Sequence, residues 1–75
     1  MKKINPNNAD ELSSAIGKQC NVTFDVIGFP NQEYQGVLTS IQFNDKTGEL
    51  GVIININNSG IIIPTNSISS LEIEE

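Results

Sequence analysis

The chain has 75 residues, one cysteine and no histidine, which suffices for one small domain and excludes an internal disulfide. Its net charge is −5, from four lysines, no arginine and nine carboxylates. Because nucleic-acid affinity depends chiefly on neutralising phosphates, this balance disfavours nucleic acid as a partner and suits a basic or neutral protein.

The first residues, MKKINPNN, lack the apolar segment of a signal peptide. No apolar run in the chain approaches the roughly 18–20 residues that a membrane span needs. We therefore expect a cytoplasmic protein that does not associate with membranes. Since residues 1–7 are polar and interrupted by Pro6, they predict a flexible N-terminus ahead of a single domain over residues 8–75.

A short helix is predicted over residues 9–16. Asn8 can cap it, with Glu11 reaching back from the third helical position, and Gly17 suits the position after its end. One face is apolar, at Leu12, Ala15 and Ile16. At two turns this helix is too short to be stable alone, so we expect it to dock on a sheet.

Two strands with alternating apolar and polar residues follow the helix. The first is centred on Val22 and Phe24, and the second runs over residues 33–43. The inward positions of the second strand change parity, which predicts a β-bulge near residues 39–40. In the loop between these strands, Phe29 is either an exposed tip or folds back over the core.

The central element is a hairpin over residues 49–63. Apolar residues alternate along its first strand, and residues 57–60 (NNSG) tolerate the positive φ of a tight reversal. Three isoleucines follow and stop at Pro64, which has no backbone N–H to donate to a ladder.

The C-terminal residues complete the predicted sheet. Residues 65–67 predict one helical turn, and a last short strand begins at Ile68 with Leu71 and Ile73 directed inward. The pattern as a whole predicts a mostly β fold, in which a short N-terminal helix precedes a five-stranded, strongly bent antiparallel small barrel of the SH3-like or OB-like type.

This plan resembles the Sm-like fold, which the residues match over roughly 12–73. Residues 35–42 (QGVLTSIQ) resemble the core of the first Sm motif and the matching strand of Hfq, and residues 62–71 (IIPTNSISSL) have the apolar spacing of the second motif. The C-terminal half is also similar to YolD-like bacterial proteins, in which an Ile-Pro motif precedes a final strand. The resemblance implies a small barrel whose edge strands pair with neighbouring copies in a ring.

The RNA pocket of that family is not matched. Gln42 stands at the position of the first motif's Asp, and Pro64, Thr65 and Asn66 stand where Sm proteins carry Arg-Gly and Hfq carries Lys-His. Because every cationic contact is missing, the resemblance implies the fold and argues against RNA binding.

No set of residues predicts catalysis, a cofactor or a metal. The carboxylates of Asp25, Glu33, Asp45 and Glu49 fall on strand exteriors or loops, where solvated charges are the rule. Cys20 has no histidine to activate it and is expected to be a small buried apolar residue. A phosphate-binding glycine loop, a nucleophile elbow and a metal-binding spacing are absent. We therefore expect the chain not to be an enzyme.

Six residues are candidates for a protein interface: Phe29, Tyr34, Ile53, Ile62, Leu71 and Ile73. The two aromatic residues lie beside a loop and suit either the core or protein contact. Ile53 and Ile62 are out of phase with the core set, so they are either an exposed aliphatic patch or covered by the N-terminal helix. The last two belong to an acidic strand, which is either a protected edge or an edge that pairs with another chain.

Together these features predict a non-enzymatic protein-interaction module, a bacterial or phage accessory or regulatory protein that acts through its strand edges. Its partner is another protein, further copies of itself, or both. Two alternatives remain open: an RNA-binding Sm-like ring, and an acidic phage-encoded inhibitor of a basic nucleic-acid-binding host protein. The first predicts salt-dependent binding of single-stranded RNA, and the second predicts salt-sensitive binding of a positively charged protein.

Overall fold

Alternating apolar side chains build a single antiparallel sheet, which a computed structural model describes over residues 1–75. The elements in chain order are β1 (Lys2–Lys3), α1 (Ala9–Ser14), β2 (Gln19–Phe24), β3 (Glu33–Phe43), β4 (Leu50–Ile56), β5 (Ser59–Pro64), a 3-10 turn (Thr65–Ser67) and β6 (Ile68–Ile73). The strands lie in the order β1-β6-β2-β3-β4-β5, so β1 and β5 are the two edges of the sheet.

The mostly β, antiparallel character of the fold is confirmed, but the prediction of a closed five-stranded barrel is wrong. The sheet has six strands, and no pairing joins β1 to β5. After Pro64 the 3-10 turn carries the chain away from β5 and across to β2, where β6 pairs. The open side of β5 therefore stays without a partner strand, and the sheet bends without closing.

The bend lies in β3, which pairs with β2 through its first half and with β4 through its second. The register with β4 shifts between Leu38 and Ser40, which confirms the predicted bulge. At this point the backbone of Leu38 turns to the segment after the helix. Its carbonyl accepts from the N–H of Gly17 at 2.7 Å, and its N–H donates to the carbonyl of Lys18 at 3.1 Å. The segment after the helix therefore holds the bulge on the side opposite β4.

The bent sheet and the helix enclose one apolar core. Its buried members come from every strand except β1. They are Ile4, Leu12, Ala15, Cys20, Val22, Phe24, Leu38, Val52, Ile54, Ile56, Ile63, Leu71 and Ile73. A chain of this size has little core to spare, so removing one of the fully buried side chains is expected to be costly.

The helix begins where it was predicted. The Oδ1 atom of Asn8 accepts hydrogen bonds from the N–H groups of Asp10 and Glu11 at 3.0 and 3.2 Å. The Glu11 side chain does not reach back to Asn8; its carboxylate accepts from the N–H of Asn5 instead. The last helical residue is Ser14, two residues before the predicted end. Of the predicted apolar face, Leu12 and Ala15 are buried and Ile16 is exposed.

The first residues, for which the polar sequence predicts flexibility, are attached to the sheet. Lys2 and Lys3 pair with Ile73 and Glu72, and the N–H of Ile4 donates to the carbonyl of Leu71 at 3.0 Å. Ile4 is only 5% exposed. Backbone pairing and one buried apolar side chain thus hold this segment against β6.

Candidate functional site

The open edge of β5 presents unpaired backbone groups. Asn57 and Asn58 both have positive φ, so the β4–β5 hairpin has a two-residue turn of the I′ type, closed by the pair Ile56 and Ser59. In an antiparallel ladder, hydrogen-bonded and non-hydrogen-bonded pairs alternate away from that closing pair. Gly60 and Ile62 therefore direct their N–H and C=O groups away from β4, toward solvent.

Pro64 ends this edge. By the same alternation it belongs to a non-hydrogen-bonded pair with Gly51, so its ring nitrogen, which carries no hydrogen, faces the open side. The edge thus offers two residues with both a donor and an acceptor, followed by one with an acceptor alone. We refer to Ser59–Pro64 on this side as the β5 edge.

Apolar side chains stand on the outer face beside the β5 edge. Ile62 lies opposite Ile53 across the β4–β5 ladder. Both residues are out of phase with the core residues of their strands. Ile62 is 57% exposed and Ile53 is half-buried. The buried residues of the helix, Leu12 and Ala15, belong to the core. Ile62 stays exposed on the outer face, and whether it marks an interface remains a proposal.

A groove of about 610 Å³ opens next to this patch. Its apolar wall consists of Phe43, Leu50, Ile62 and Pro64. Phe43 is 61% exposed although it follows the buried parity of β3, because the strand continues beyond the core at this end. Gly51 lines the groove on the outer face of β4, where a Cβ atom would be in ordinary contact with Cγ2 of Ile62 at 3.9 Å.

Charged residues of the β3–β4 loop line the same groove. They are Asp45, Lys46 and Glu49. The loop is held by Asn44, whose Oδ1 accepts from the N–H groups of Lys46 and Thr47, and by the N–H of Gly48, which donates to the Asn44 carbonyl at 2.7 Å. The backbone thus places two carboxylates and one ammonium group beside an apolar wall.

The aromatic candidates lie elsewhere, at the opposite end of β3. Phe29 folds back: its ring and that of Tyr34 pack on buried Phe24, with centroids 5.7 and 4.9 Å away. The Tyr34 hydroxyl donates to the carbonyl of Pro30 at 2.9 Å. Both residues are half-buried, so their main role in this structure is to extend the core.

The exposed tip of that loop is Ile27, which the sequence interpretation missed. The N–H of Phe29 donates to the carbonyl of Val26, and Gly28 has φ +95°, the geometry of a turn with Ile27 at its corner. Ile27 is fully exposed. The Ile-Gly pair was the available signal, since glycine after the corner residue favours such a turn.

The candidates Leu71 and Ile73 are buried in this structure. Both lie in the core, and β6 is not the edge strand that the sequence predicts. It lies between β1 and β2. The six candidate residues therefore separate into three places: the groove and outer face (Ile53, Ile62), the aromatic cluster (Phe29, Tyr34) and the core (Leu71, Ile73).

The thiol of Cys20 lies away from the groove, in the core. Cys20 is fully buried, and burial raises the pKa of its thiol from 9.0 to about 11. No three His, Cys, Asp or Glu side chains come together in a group that could hold a metal ion. None of the helices has the length and apolar character required to cross a bilayer.

Comparisons with known proteins place no relative beside this chain: no protein family, no curated protein and no solved structure matched it.

Proposed function

We propose that the chain is a non-enzymatic interaction module that binds a protein by adding a strand of that protein to the β5 edge. The observation that carries the proposal is the contrast between the two edges of the sheet. β1 is two residues long and consists of lysines, a usual protection against unwanted pairing. β5 is six residues long and carries no charge. An unprotected edge of this kind is a template for another strand.

The edge and the groove supply complementary parts of such an interface. Gly60 and Ile62 offer backbone donors and acceptors, and each hydrogen bond formed contributes roughly 0.5–1.5 kcal/mol net. Ile62 and Pro64, which are both exposed, offer apolar surface that a partner would remove from water. Because the edge is short, the expected dissociation constant is on the order of micromolar.

Pairing with a different protein fits this sheet better than a ring of copies. The Sm-like resemblance implies a ring in which each copy uses two strand edges. Here β1 covers β6 over Leu71–Ile73, through Lys2, Lys3 and the N–H of Ile4, so the β5 edge is the one long edge left open. The Sm-like resemblance then concerns the bent β3 strand and the hairpin that follows it, and not the assembly of a ring.

A second candidate function uses the same edge. Asp45 and Glu49 beside the groove favour an acidic inhibitor that covers a basic surface on a nucleic-acid-binding protein. An inhibitor of this kind would use the same β5 edge and groove, but its partner would be a nucleic-acid-binding protein whose activity it blocks. No feature of the site favours RNA itself, since the groove has one lysine and two carboxylates.

Capture of partners on immobilised protein tests the proposal. Ile62→Lys places a charge on the β5 edge, and Ile27→Lys is its matched control, because Ile27 is an exposed isoleucine at the far end of β3. We expect the wild type and Ile27→Lys to retain the same protein and Ile62→Lys to lose it. Full retention by Ile62→Lys would contradict the proposal.

Light scattering over a range of concentrations identifies the kind of partner. A monomer at all concentrations supports a different protein as the occupant of the edge. Self-association that Ile62→Lys abolishes shows that a second copy occupies it, and self-association that Ile62→Lys leaves unchanged contradicts the role of the edge.

A further inference from the structure

The groove beside the β5 edge specifies the chemistry of the partner strand. We infer that this strand carries an arginine or a lysine whose stem lies along the groove and whose charge is directed toward Asp45 and Glu49. The partner is then an extended, basic segment of another protein. This inference rests on the proposed function and adds to it the class of sequence that the edge selects.

The geometry of a sheet sets where such a side chain starts. A strand added antiparallel to β5 lies about 4.8 Å from it, and its residue opposite Pro64 is level with Gly51 across β5. The side chain of that residue stands on the outer face, beside Pro64. From there Gly51 on β4 is two strand spacings away, roughly 10 Å. Only a long side chain crosses most of this distance.

The surface beneath that path is apolar at the start and charged at the end. Ile62 and Pro64 belong to β5 and border the edge, and Gly51 of β4, which has no side chain, lines the groove between them and the loop. Asp45 and Glu49 lie on the loop that closes the far side. Arginine and lysine have an apolar stem and a charged head, which matches this order of environments. A leucine fits only the first part, and a glutamate meets two like charges.

The charge balance of the groove favours a cation. Two carboxylates and the ammonium group of Lys46 leave a net charge of −1 within the groove. The whole chain adds to this preference with its net charge of −5. Lys46 opposes the incoming charge, so its removal is expected to increase affinity. Removing the carboxylates and removing Lys46 should therefore change the affinity in opposite directions, which provides an internal check.

The same charges disfavour a second copy as the occupant. β5 contains no basic residue, so pairing two β5 edges brings no cation to Asp45 or Glu49. It places the acidic loops of both copies beside one pair of strands, between two chains that each carry −5. A basic segment of another protein satisfies both the edge and the groove.

Titration of the full chain with short peptides tests the inference. The peptides share one alternating Val/Thr scaffold and carry Arg, Gln or Glu at the outward position, and binding is followed by fluorescence anisotropy. We expect the Arg peptide to bind more tightly than the Gln peptide, and the Glu peptide to bind most weakly. The double variant Asp45→Asn/Glu49→Gln should weaken the Arg peptide roughly three- to tenfold, Lys46→Gln should strengthen it, and salt should weaken it.

The outcomes separate the inference from the proposed function. If the three peptides bind equally and Ile62→Lys abolishes the binding of all three, the β5 edge is supported as the binding site and the inference of a basic partner is overturned. If no peptide binds while Ile62-dependent capture of a protein persists, the proposed function stands and the inference is again overturned. If Arg-peptide binding survives Ile62→Lys unchanged, both fail. Self-association through Ile62 assigns the groove to a second copy and also overturns the inference.

Discussion

The backbone of Gly36 lies directly against the carbonyl group of Asn55, where β3 passes from its pairing with β2 to its pairing with β4. A Cβ atom at Gly36 would overlap the Asn55 oxygen and would lie 2.9 Å from Cγ2 of Ile54. The oxygen is backbone and the Ile54 side chain is fully buried, so neither can move aside at low cost. The sharp fold of the sheet therefore requires the absence of a side chain at this position.

We expect Gly36→Ala to destabilise the fold by about 2–3 kcal/mol, because it forces overpacking against backbone in a closely packed core. The matched control is Gly60→Ala, where a Cβ meets Cγ2 of Ile53 at an ordinary 3.5 Å. Urea unfolding followed by circular dichroism measures both. Equal midpoints for the two variants would show that the close approach at Gly36 does not limit the fold.

Among the residues that the sequence proposed for an interface, Leu71 belongs to the core and Ile62 to the surface. Leu71 is fully buried, so Leu71→Ala should cost roughly 2–5 kcal/mol. Ile62→Ser removes an exposed side chain and should change stability by less than about 1 kcal/mol. The same urea experiment applies. A loss at Ile62→Ser as large as that at Leu71→Ala would mean that the outer face is part of the core.

The features that the sequence predicted correctly are those encoded by neighbouring residues. β3 runs over the predicted residues, because its apolar pattern and the flanking turn residues are local. The change of parity at residues 39–40 is visible in the sequence and appears as the register shift. The pair Asn57-Asn58 specifies its own turn, since both residues tolerate positive φ.

The features that failed depend on pairing between distant parts of the chain. Lys2 pairs with Ile73, nearly a whole chain length away, and a strand of two residues has no periodicity to recognise. This pairing removes β6 from the edge and leaves β5 as the long open one. The parity of Ile62 revealed its outer-face position, but the groove depends on how β3, β4 and β5 end together, which no local pattern contains.

The attachment of the N-terminus can be tested at Ile4. Its N–H donates to Leu71 and its side chain is buried, so its amide hydrogen should exchange far more slowly than that of an unstructured residue. Ile4→Ser should lower stability by roughly 1–3 kcal/mol, whereas Lys3→Ser, at the adjacent exposed residue, should change it little. Hydrogen exchange read by NMR and thermal unfolding measure these effects. Free exchange at Ile4 would show that the first residues are flexible after all.

The Cys20 thiol provides a prediction about pH. Burial raises its pKa from 9.0 to about 11, so at pH 8 the folded chain should contain on the order of a hundredfold less thiolate than the unfolded chain. We expect a disulfide reagent to label folded protein correspondingly slowly and denatured protein fast. Rapid labelling of the folded chain would show that Cys20 is accessible and not part of the core.

The Cys20 thiol should also make the free energy of unfolding depend on pH in the alkaline range. The unfolded chain releases the thiol proton at the lower pKa. Deprotonation therefore stabilises the unfolded state relative to the folded state as pH rises from about 9 to about 11. Below pH 9 both states keep the proton and the thiol contributes no pH dependence. Cys20→Ala removes this group, so the difference in unfolding free energy between wild type and Cys20→Ala should shrink over that interval. Other groups that titrate there are common to both proteins and cancel in the difference. A constant difference across the interval would mean that the thiol has the same pKa in both states and that burial does not control it.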